Sequence, residues 1–167
     1  FNNGNEIWMA QMKEDLSGIK EETLTKCFGV TDPWEMTSKE PVARVAEGPF
    51  VLKHNGLYYL TYSANHFKSQ DYAVGYATST SPFGPFIKYE GNPILIGDMK
   101  NIFGTGHHSF FRSNSGQMYI VYHSHKSGTS IQPRTTCLDL CGFEKVGNGK
   151  PDRLVVYGPT VTPQPVK

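Results

Sequence analysis

Short apolar runs separated by turn signals dominate the pattern along this chain. The two densest runs, Leu57–Ala64 and residues 72–78, are rich in aromatic and β-branched side chains and are joined by a polar loop. Such runs predict paired β-strands. Just before them, Glu47 stands beside Gly48 and Pro49, where the chain enters the predicted sheet. A rigid backbone at this point suits the mounting of a catalytic carboxylate.

A turn followed by an aromatic strand occurs three times, at Asn3-Gly4, Asn55-Gly56 and Ser115-Gly116. The glycines recur at spacings of 52 and 60 residues (56 − 4 and 116 − 56). Recurrence at roughly 40–50 residues, stretched by insertions, is typical of β-propeller blades. A propeller needs at least four blades to close. The pattern therefore predicts an open, partial propeller.

The remaining segments fit an all-β chain. Residues 13–26 are charged and contain Gly18, which favours a loop with short strands over a helix. Residues 31–41 predict a polar connection, on which we expect Trp34 to be exposed. We predict one partial propeller domain, 1–167. It is divided into part of a blade with a connection (1–45), a blade with Glu47 (46–100) and a blade with a closing segment (101–167).

Composition excludes several classes of protein. A content of 38% hydrophobic and 13% aromatic residues suits an all-β domain, and the net charge of +1 indicates neither nucleic acid nor an acidic membrane as partner. No apolar run approaches the ~18 residues of a membrane span. Cys137 and Cys141 lie too far apart in an extended run to form a disulfide, so we expect buried free thiols. Because the chain starts at Phe1, we expect its true N-terminus to have been removed or to lie outside this sequence.

Four segments, taken in order, resemble glycoside hydrolase family 43: EGPFVLKHNGLYYLTYSAN, DYAVGYATSTSPFGPF, GTGHHSFF and GPTVTPQP. The resemblance implies a five-bladed β-propeller that acts on polysaccharides containing xylose or arabinose. It covers only the C-terminal part of such a propeller. The predicted fold is therefore all-β, the C-terminal portion of a five-bladed β-propeller.

The resemblance implies an inverting mechanism with three acids, in which the acid of the E-G-P motif, Glu47, is the general acid. An apolar, aromatic pocket keeps such a carboxyl protonated by desolvation. The alternative is that Glu47 only accepts backbone hydrogen bonds at a turn. The general base and the third acid belong to the first two blades and have no counterpart here. Asp71 and Asp98 match no motif and are interpreted as solvated loop acids.

An inverting enzyme places its general base ~6.5–9.5 Å from the acid. Since that base is missing, we expect the isolated chain to be inactive.

His107, in the G-T-G-H-H-S segment, matches a position that the resemblance places near a single calcium ion, contacted largely through waters. Because calcium prefers oxygen ligands, the residues alone equally allow a hydrogen-bonded structural histidine. His108, its neighbour on a strand, is expected to point away. No organic cofactor is predicted.

Four more residues are candidates for substrate binding. Arg134 precedes a late strand and is either a ligand for sugar hydroxyls or a surface ion-pair residue. Trp34, Phe103 and His66 are expected to form a stacking platform for a sugar ring, with core packing as the alternative.

The sequence thus predicts an inverting pentosidase of the β-xylosidase or α-L-arabinofuranosidase type, acting on hemicellulose or arabinan. Its short loops favour exo action. The alternatives are a non-catalytic carbohydrate-binding half-propeller and a kelch-like interaction propeller, and the second does not explain the acid and the histidine in their turns. An open propeller exposes sheet edges and an apolar face, so we expect association with N-terminal blades or a partner chain. The resemblance suggests a secreted or periplasmic bacterial protein.

Overall fold

The computed structural model of the chain describes residues 2–3, 5–39 and 43–164. These residues form twelve β-strands and two short 3-10 helices, Glu21–Thr23 and Pro33–Met36. In chain order the strands are β1 (Asn2–Asn3), β2 (Glu6–Met9), β3 (Thr25–Phe28), β4 (Ala46–His54), β5 (Leu57–Ala64), β6 (Ala73–Ser79), β7 (Ile87–Lys88), β8 (Leu95–Ile96), β9 (Gly106–Arg112), β10 (Met118–Ser124), β11 (Thr135–Glu144) and β12 (Arg153–Val156). The predicted all-β class is confirmed.

The strands form three antiparallel sheets. The first has the order β1-β2-β3, the second β4-β5-β6-β7 with β8 also paired to β6, and the third β12-β11-β10-β9. The predicted turn between β4 and β5 has φ values of 45° at Asn55 and 81° at Gly56, as a type I′ hairpin turn requires. Gly116 turns the chain between β9 and β10 with φ 83°. The earliest predicted turn includes Gly4, which lies outside the described residues.

The second sheet is buried on both faces. From β5, Leu60, Tyr62 and Ala64 pack toward the first sheet, into a core that also holds Ile7. Tyr59 points the other way, into a larger core shared with the third sheet. Successive strand residues face opposite sides, so a strand buried on both sides carries apolar residues on both faces. This arrangement explains why aromatic and apolar residues dominate β5, with only the small polar side chains of Thr61 and Ser63 among them.

A buried ion pair joins the second sheet to the connection that follows the first. The Lys88 ammonium lies 2.6 and 2.7 Å from the two carboxylate oxygens of Glu35, which is fully buried. Glu35 also accepts the backbone N–H groups of Thr31 and Asp32 and the hydroxyl proton of Tyr62. The polar connection is therefore fixed by a charged residue in the interior.

Trp34 is not exposed, contrary to the prediction from its polar surroundings. Its ring lies 5.8 Å from that of Tyr62, and Gly75 leaves room for its edge, since a Cβ there would overlap the indole. Its ring nitrogen is buried without a hydrogen-bond partner among the described residues. Burial of the acid next to it, Glu35, draws this short helix against the second sheet.

The closing segment after β12 is attached to the third sheet through a buried acid. Asp139, on β11, accepts hydrogen bonds from the hydroxyls of Tyr122 at 2.6 Å and Thr160 at 2.5 Å. Gly158 is necessary here because a Cβ would overlap the Asp139 carboxylate. All three cysteines are free, as predicted, but only Cys141 is fully buried.

The three sheets lie within residues 2–28, 46–96 and 106–156. They do not form a closed propeller in the described part of the chain. The division at 45/46 and 100/101 remains a prediction. No helix in the described ranges is long and apolar enough to cross a membrane.

Candidate active site

Glu47 lies at the start of β4, directly opposite Ser63 near the end of β5. The register shifts between Glu47 and Phe50, and Gly48 within this bulge has φ 57°, a left-handed conformation that favours glycine. Bulges redirect a side chain at the end of a strand pair. The E-G-P segment thus turns a half-buried carboxylate away from the regular ladder.

Tyr72 holds this carboxylate. Its hydroxyl donates a hydrogen bond of 2.8 Å to Glu47 Oε1, and the side chain is fully buried. The ring lies against Gly106, where a Cβ would overlap it, and the ring of His123 stacks on it at 5.5 Å. Burial and the nearby Glu47 charge raise the pKa of Tyr72 far above its ordinary value, while a hydrogen bond from Ser63 acts in the opposite direction. Tyr72 therefore remains a neutral donor.

His107 lies on the other side of the Tyr72 hydroxyl. Its Nδ1 is 3.4 Å from that oxygen, and its ring also faces Gly48, where a Cβ would lie 3.5 Å away. The backbone at His107 has φ 52°, and its N–H donates to Ser63 Oγ at 2.9 Å. The strained backbone turns this imidazole toward the Tyr72 hydroxyl and Gly48 and leaves it exposed.

His108 is buried on the opposite side of β9. Its Nε2 lies 2.6 Å from Thr61 Oγ1, and the Thr61 hydroxyl donates its own proton to the Phe50 carbonyl at 3.0 Å. Nε2 must therefore carry the proton that His108 donates to Thr61. Burial, and secondarily His107, lowers the pKa of His108 to about 3, so this imidazole is neutral. It serves packing between the second and third sheets.

The described residues do not form a calcium site by themselves. No group of three or more His, Cys, Asp or Glu side chains converges on one point in these ranges. Calcium takes 6–8 oxygen ligands, and His107 would supply one nitrogen. The side chains of the described residues therefore do not fit direct coordination of calcium.

Arg134 lies near the Glu47–Tyr72–His107 group. It has no carboxylate partner among the described residues, and its guanidinium lies 5.6 Å from the centre of the Phe67 ring. Its positive charge also acts on His123. The pKa of His123 is lowered to about 4, mainly by burial and then by the charges of Arg134 and the neighbouring histidines. The exposed arginine thus lies over an aromatic ring, and its charge reaches Tyr72 and His123, whereas the sequence had left a surface ion pair as the alternative.

The three predicted stacking residues do not contact one another within the described residues. Trp34 packs against Tyr62, His66 stacks on Phe67 at 4.7 Å, and Phe103 covers Gly128. A common platform of these rings remains a prediction.

The two spare acids are not hydrogen bonded to the Glu47–Tyr72–His107 group. The exposed Asp98 carboxylate accepts the backbone N–H groups of Lys100, Asn101 and Ile102, and these bonds hold its pKa well below the ordinary range. Asp71 contributes its backbone carbonyl to Asn65. Neither contact indicates a catalytic base.

Sequence reasoning missed Tyr72, Ser63, His123 and Phe67. Tyr72 directly precedes β6, and His123 lies in a run that reads as an ordinary strand, so neither carries a local signal. Ser63 sits in β5 opposite Glu47, and this register was the one signal that could have indicated it. Phe67 could not be distinguished from the other loop aromatics.

Comparison with known proteins places this all-β chain in a family. Residues 2–148 match the profile of Glycosyl hydrolases family 43. The solved structure of an endo-1,4-beta-xylanase from Bacteroides thetaiotaomicron is similar, with 42% sequence identity and a TM-score of 0.83. The match covers 95% of this chain and 52% of the xylanase chain. The chain belongs to glycoside hydrolase family 43.

Two curated relatives are similar over shorter stretches. A beta-D-galactofuranosidase from Aspergillus niger is 36% identical over 113 residues, which are 67% of this chain and 33% of that protein. A xylosidase/arabinosidase from Bacteroides ovatus is 27% identical over 115 residues, which are 69% of this chain and 32% of that protein. The chain therefore spans about a third of these relatives and about half of the xylanase.

Proposed function

We propose that this chain is the acid-bearing part of an inverting glycoside hydrolase that cleaves pentosides, of the β-xylosidase or α-L-arabinofuranosidase type. One observation carries the proposal: the Glu47 carboxylate, on a bulge at a strand end, is held at 2.8 Å by a buried tyrosine whose hydroxyl also lies 3.4 Å from the His107 imidazole. Family membership and a relative named xylosidase/arabinosidase support it.

In this proposal Glu47 protonates the oxygen that leaves as the glycosidic bond breaks. The surrounding side chains keep it in one orientation: Tyr72 binds one carboxylate oxygen and His107 limits movement on the other side. Arg134, free of a carboxylate partner in the described ranges and placed against Phe67, binds sugar hydroxyls. General-acid catalysis of this kind contributes about 10²–10⁴-fold to a rate.

The second half of the reaction needs a base that activates water on the opposite face of the sugar. Asp71 and Asp98 do not approach Glu47 through hydrogen bonds, so we propose that the base comes from additional blades. The three sheets are then blades of a five-bladed propeller, completed by N-terminal blades in the same protein or by a partner chain. The apolar side chains that are exposed on the described surface, among them Val51, Phe111 and Tyr157, are consistent with such an association.

Two further expectations stay proposals. Calcium, bound on the axis mainly through waters, takes at most His107 from this chain; calorimetric titration with Ca²⁺ of the wild type and of H107A tests this. A secreted or periplasmic bacterial location is tested by fractionating cells that express the natural gene.

The experiment compares the isolated chain with the same chain joined to the N-terminal half of the Bacteroides thetaiotaomicron xylanase. Both are assayed on nitrophenyl β-D-xyloside, α-L-arabinofuranoside and, because of the Aspergillus relative, β-D-galactofuranoside. We expect hydrolysis only by the completed particle, with NMR showing inversion at the anomeric carbon. The native mass of the isolated chain indicates whether it associates beyond 18.6 kDa.

The decisive variant is E47Q, with the exposed Glu90 changed by E90Q as the matched control. E47Q should lower kcat/KM about 10²-fold or more on substrates with poor leaving groups, and E90Q should leave it unchanged. A completed particle with intact Glu47 that hydrolyses none of the glycosides contradicts the proposal.

The second candidate is a non-catalytic carbohydrate-binding protein. The observation that favours it is that no second carboxylate is bonded into the site among the described residues. Calorimetric binding of xylo- or arabino-oligosaccharides by the isolated chain, with the same affinity in E47Q, would support this candidate.

A further inference from the structure

The chemistry around Glu47 depends on which of its two oxygens carries the transferred proton. Tyr72 has one hydroxyl proton and two acceptors within reach, Glu47 Oε1 at 2.8 Å and His107 Nδ1 at 3.4 Å. Hydroxyl hydrogen bonds are usually 2.5–3.0 Å long, so the proton is directed to Glu47. The contact with His107 is too long to compete.

The neighbouring groups fix this direction. A backbone N–H can only donate, and that of His107 donates to Ser63 Oγ at 2.9 Å. The Ser63 hydroxyl proton is then free to point at the Tyr72 oxygen, and Ser63 acts to lower the pKa of Tyr72, as a donor to that oxygen would. The resulting chain of donors runs from His107 through Ser63 and Tyr72 and ends at Glu47 Oε1.

The Tyr72 ring cannot rotate away from this position. It is fully buried, its Cδ1–Cε1 edge lies so close to Gly106 that a Cβ there would overlap it, and His123 stacks on the ring with an angle of 19° between the ring planes. The hydroxyl is thus a preorganised donor, fixed by packing of the ring against Gly106 and His123.

We propose that Tyr72 is the positioning residue of Glu47: by occupying Oε1 with a fixed hydrogen bond, it assigns the acid's proton to Oε2, which delivers it to the leaving oxygen. In that step the Glu47 O–H bond breaks, the proton bonds to the glycosidic oxygen as the C–O bond breaks, and the carboxylate left behind keeps its hydrogen bond from Tyr72. This proposal rests on the proposed function and names the residue that orients its acid.

The kinetic test uses Y72F, which removes the hydroxyl but keeps the ring between Gly106 and His123. Its matched control is Y59F: Tyr59 is also fully buried, but its hydroxyl donates to the Asp152 carbonyl at 2.7 Å, away from the site. Both changes are made in the active protein in which this chain is joined to the N-terminal half of the xylanase. Substrates are a methyl pentoside, whose leaving group needs a proton, and a dinitrophenyl pentoside, whose leaving group does not.

Y72F should lower kcat/KM on the methyl pentoside about 10-fold or more and leave the dinitrophenyl pentoside within about 3-fold, because only the first needs a well-placed acid. Y59F should affect both substrates equally. Two results in Y72F overturn the proposal. An equal loss of kcat/KM on both substrates would show that the Tyr72 hydroxyl has a purely structural role. No loss on either substrate would show that the hydroxyl has no role.

A second readout works on the isolated chain and needs no activity. The buried Tyr72 hydroxyl proton should give an exchange-protected NMR signal that Y72F removes and E47Q shifts upfield, because a neutral amide oxygen is a weaker acceptor. A signal that responds to H107N but not to E47Q would place the proton on His107 and overturn the proposal. If the signal behaves as expected and no particle hydrolyses a glycoside, the proposed function fails while the hydrogen bond stands.

Discussion

The buried ion pair between Lys88 and Glu35 gives a sharp test of how the first and second sheets are held together. K88M replaces the lysine by an apolar side chain of similar length that fits the same space. The Lys88 side chain is 12% exposed and Glu35 is 0% exposed, so the change leaves a carboxylate in the interior without its cation. The ammonium also donates to the Gly29 carbonyl and to Thr31 Oγ1, each at 2.8 Å.

Removing one partner of a buried ion pair costs about 3–5 kcal/mol. A domain is stable by only about 5–15 kcal/mol in total, so K88M should remove a large share of the free energy of unfolding. At about 2–4 °C per kcal/mol for a chain of this size, the melting temperature should fall by about 10 °C. Urea unfolding followed by tryptophan fluorescence measures the free energy, since Trp34 stands beside Glu35.

The matched control is K150M, at an exposed lysine in the loop before β12, which should change the free energy of unfolding by less than about 0.5 kcal/mol. In the double variant E35Q/K88M the buried charge is gone, while an oxygen remains for the N–H groups of Thr31 and Asp32. We expect it to be more stable than K88M alone. Two results would show that the interior charge does not need its partner and that the reasoning is wrong. One is a loss of stability in K88M no larger than that in K150M. The other is a loss in E35Q/K88M equal to the sum of the losses in E35Q and K88M alone.

Two more predictions concern the interface of the second and third sheets. The folded pKa of His108, about 3, lies below the value of about 6.5 in the unfolded chain. The unfolded state therefore binds the proton first as the pH falls, and stability present above pH ~6.5 is lost between about 6.5 and 3. From pH 7 to pH 5 the loss of stability due to His108 amounts to about 2 kcal/mol. Urea unfolding at the two pH values should show that H108Q lacks this part of the loss. The same pH dependence in H108Q and in the wild type would refute the prediction. G106A places a Cβ against the Tyr72 ring and should lower the free energy of unfolding by about 1–3 kcal/mol in the same measurement. G142A, with open space around its Cβ, should not. Equal effects of the two substitutions would show that the Tyr72 ring moves aside freely.

The strands that the sequence predicted best are those whose neighbours do not alter the local pattern. The runs at Leu57–Ala64 and 72–78, and the turn at Asn55-Gly56, were found because aromatic density and turn chemistry are local signals. Trp34 was misread because its neighbours are polar, yet the acid next to it, Glu35, is buried and paired with Lys88, 53 residues away. Such a pairing depends on which sheets meet, and no window of sequence contains it.

The candidate site shows the same limit. Glu47 and His107 stand in recognisable segments because nearby glycines allow φ values of 57° at Gly48, next to Glu47, and 59° at Gly104, three residues before His107. The residues that give the acid its orientation have no such mark, because a tyrosine before one strand and a serine inside another are ordinary β-sheet residues. Their role follows only from the register that sets Ser63 opposite Glu47 and Ala64 opposite Ala73.

That register also explains why the site forms at one end of the sheets. β4 and β6 both pair antiparallel with β5, so they run in the same direction and their first residues meet at one edge. Glu47 is at the start of β4, Tyr72 immediately precedes β6, and His107 is at the start of β9, with its backbone bonded to Ser63 at the end of β5. A shift of one residue in β5 would turn Ser63 to the other face and separate Tyr72 from Glu47. The orientation of the acid is therefore a consequence of strand pairing in the second sheet, and changes that weaken β5 should affect the site before they unfold the chain.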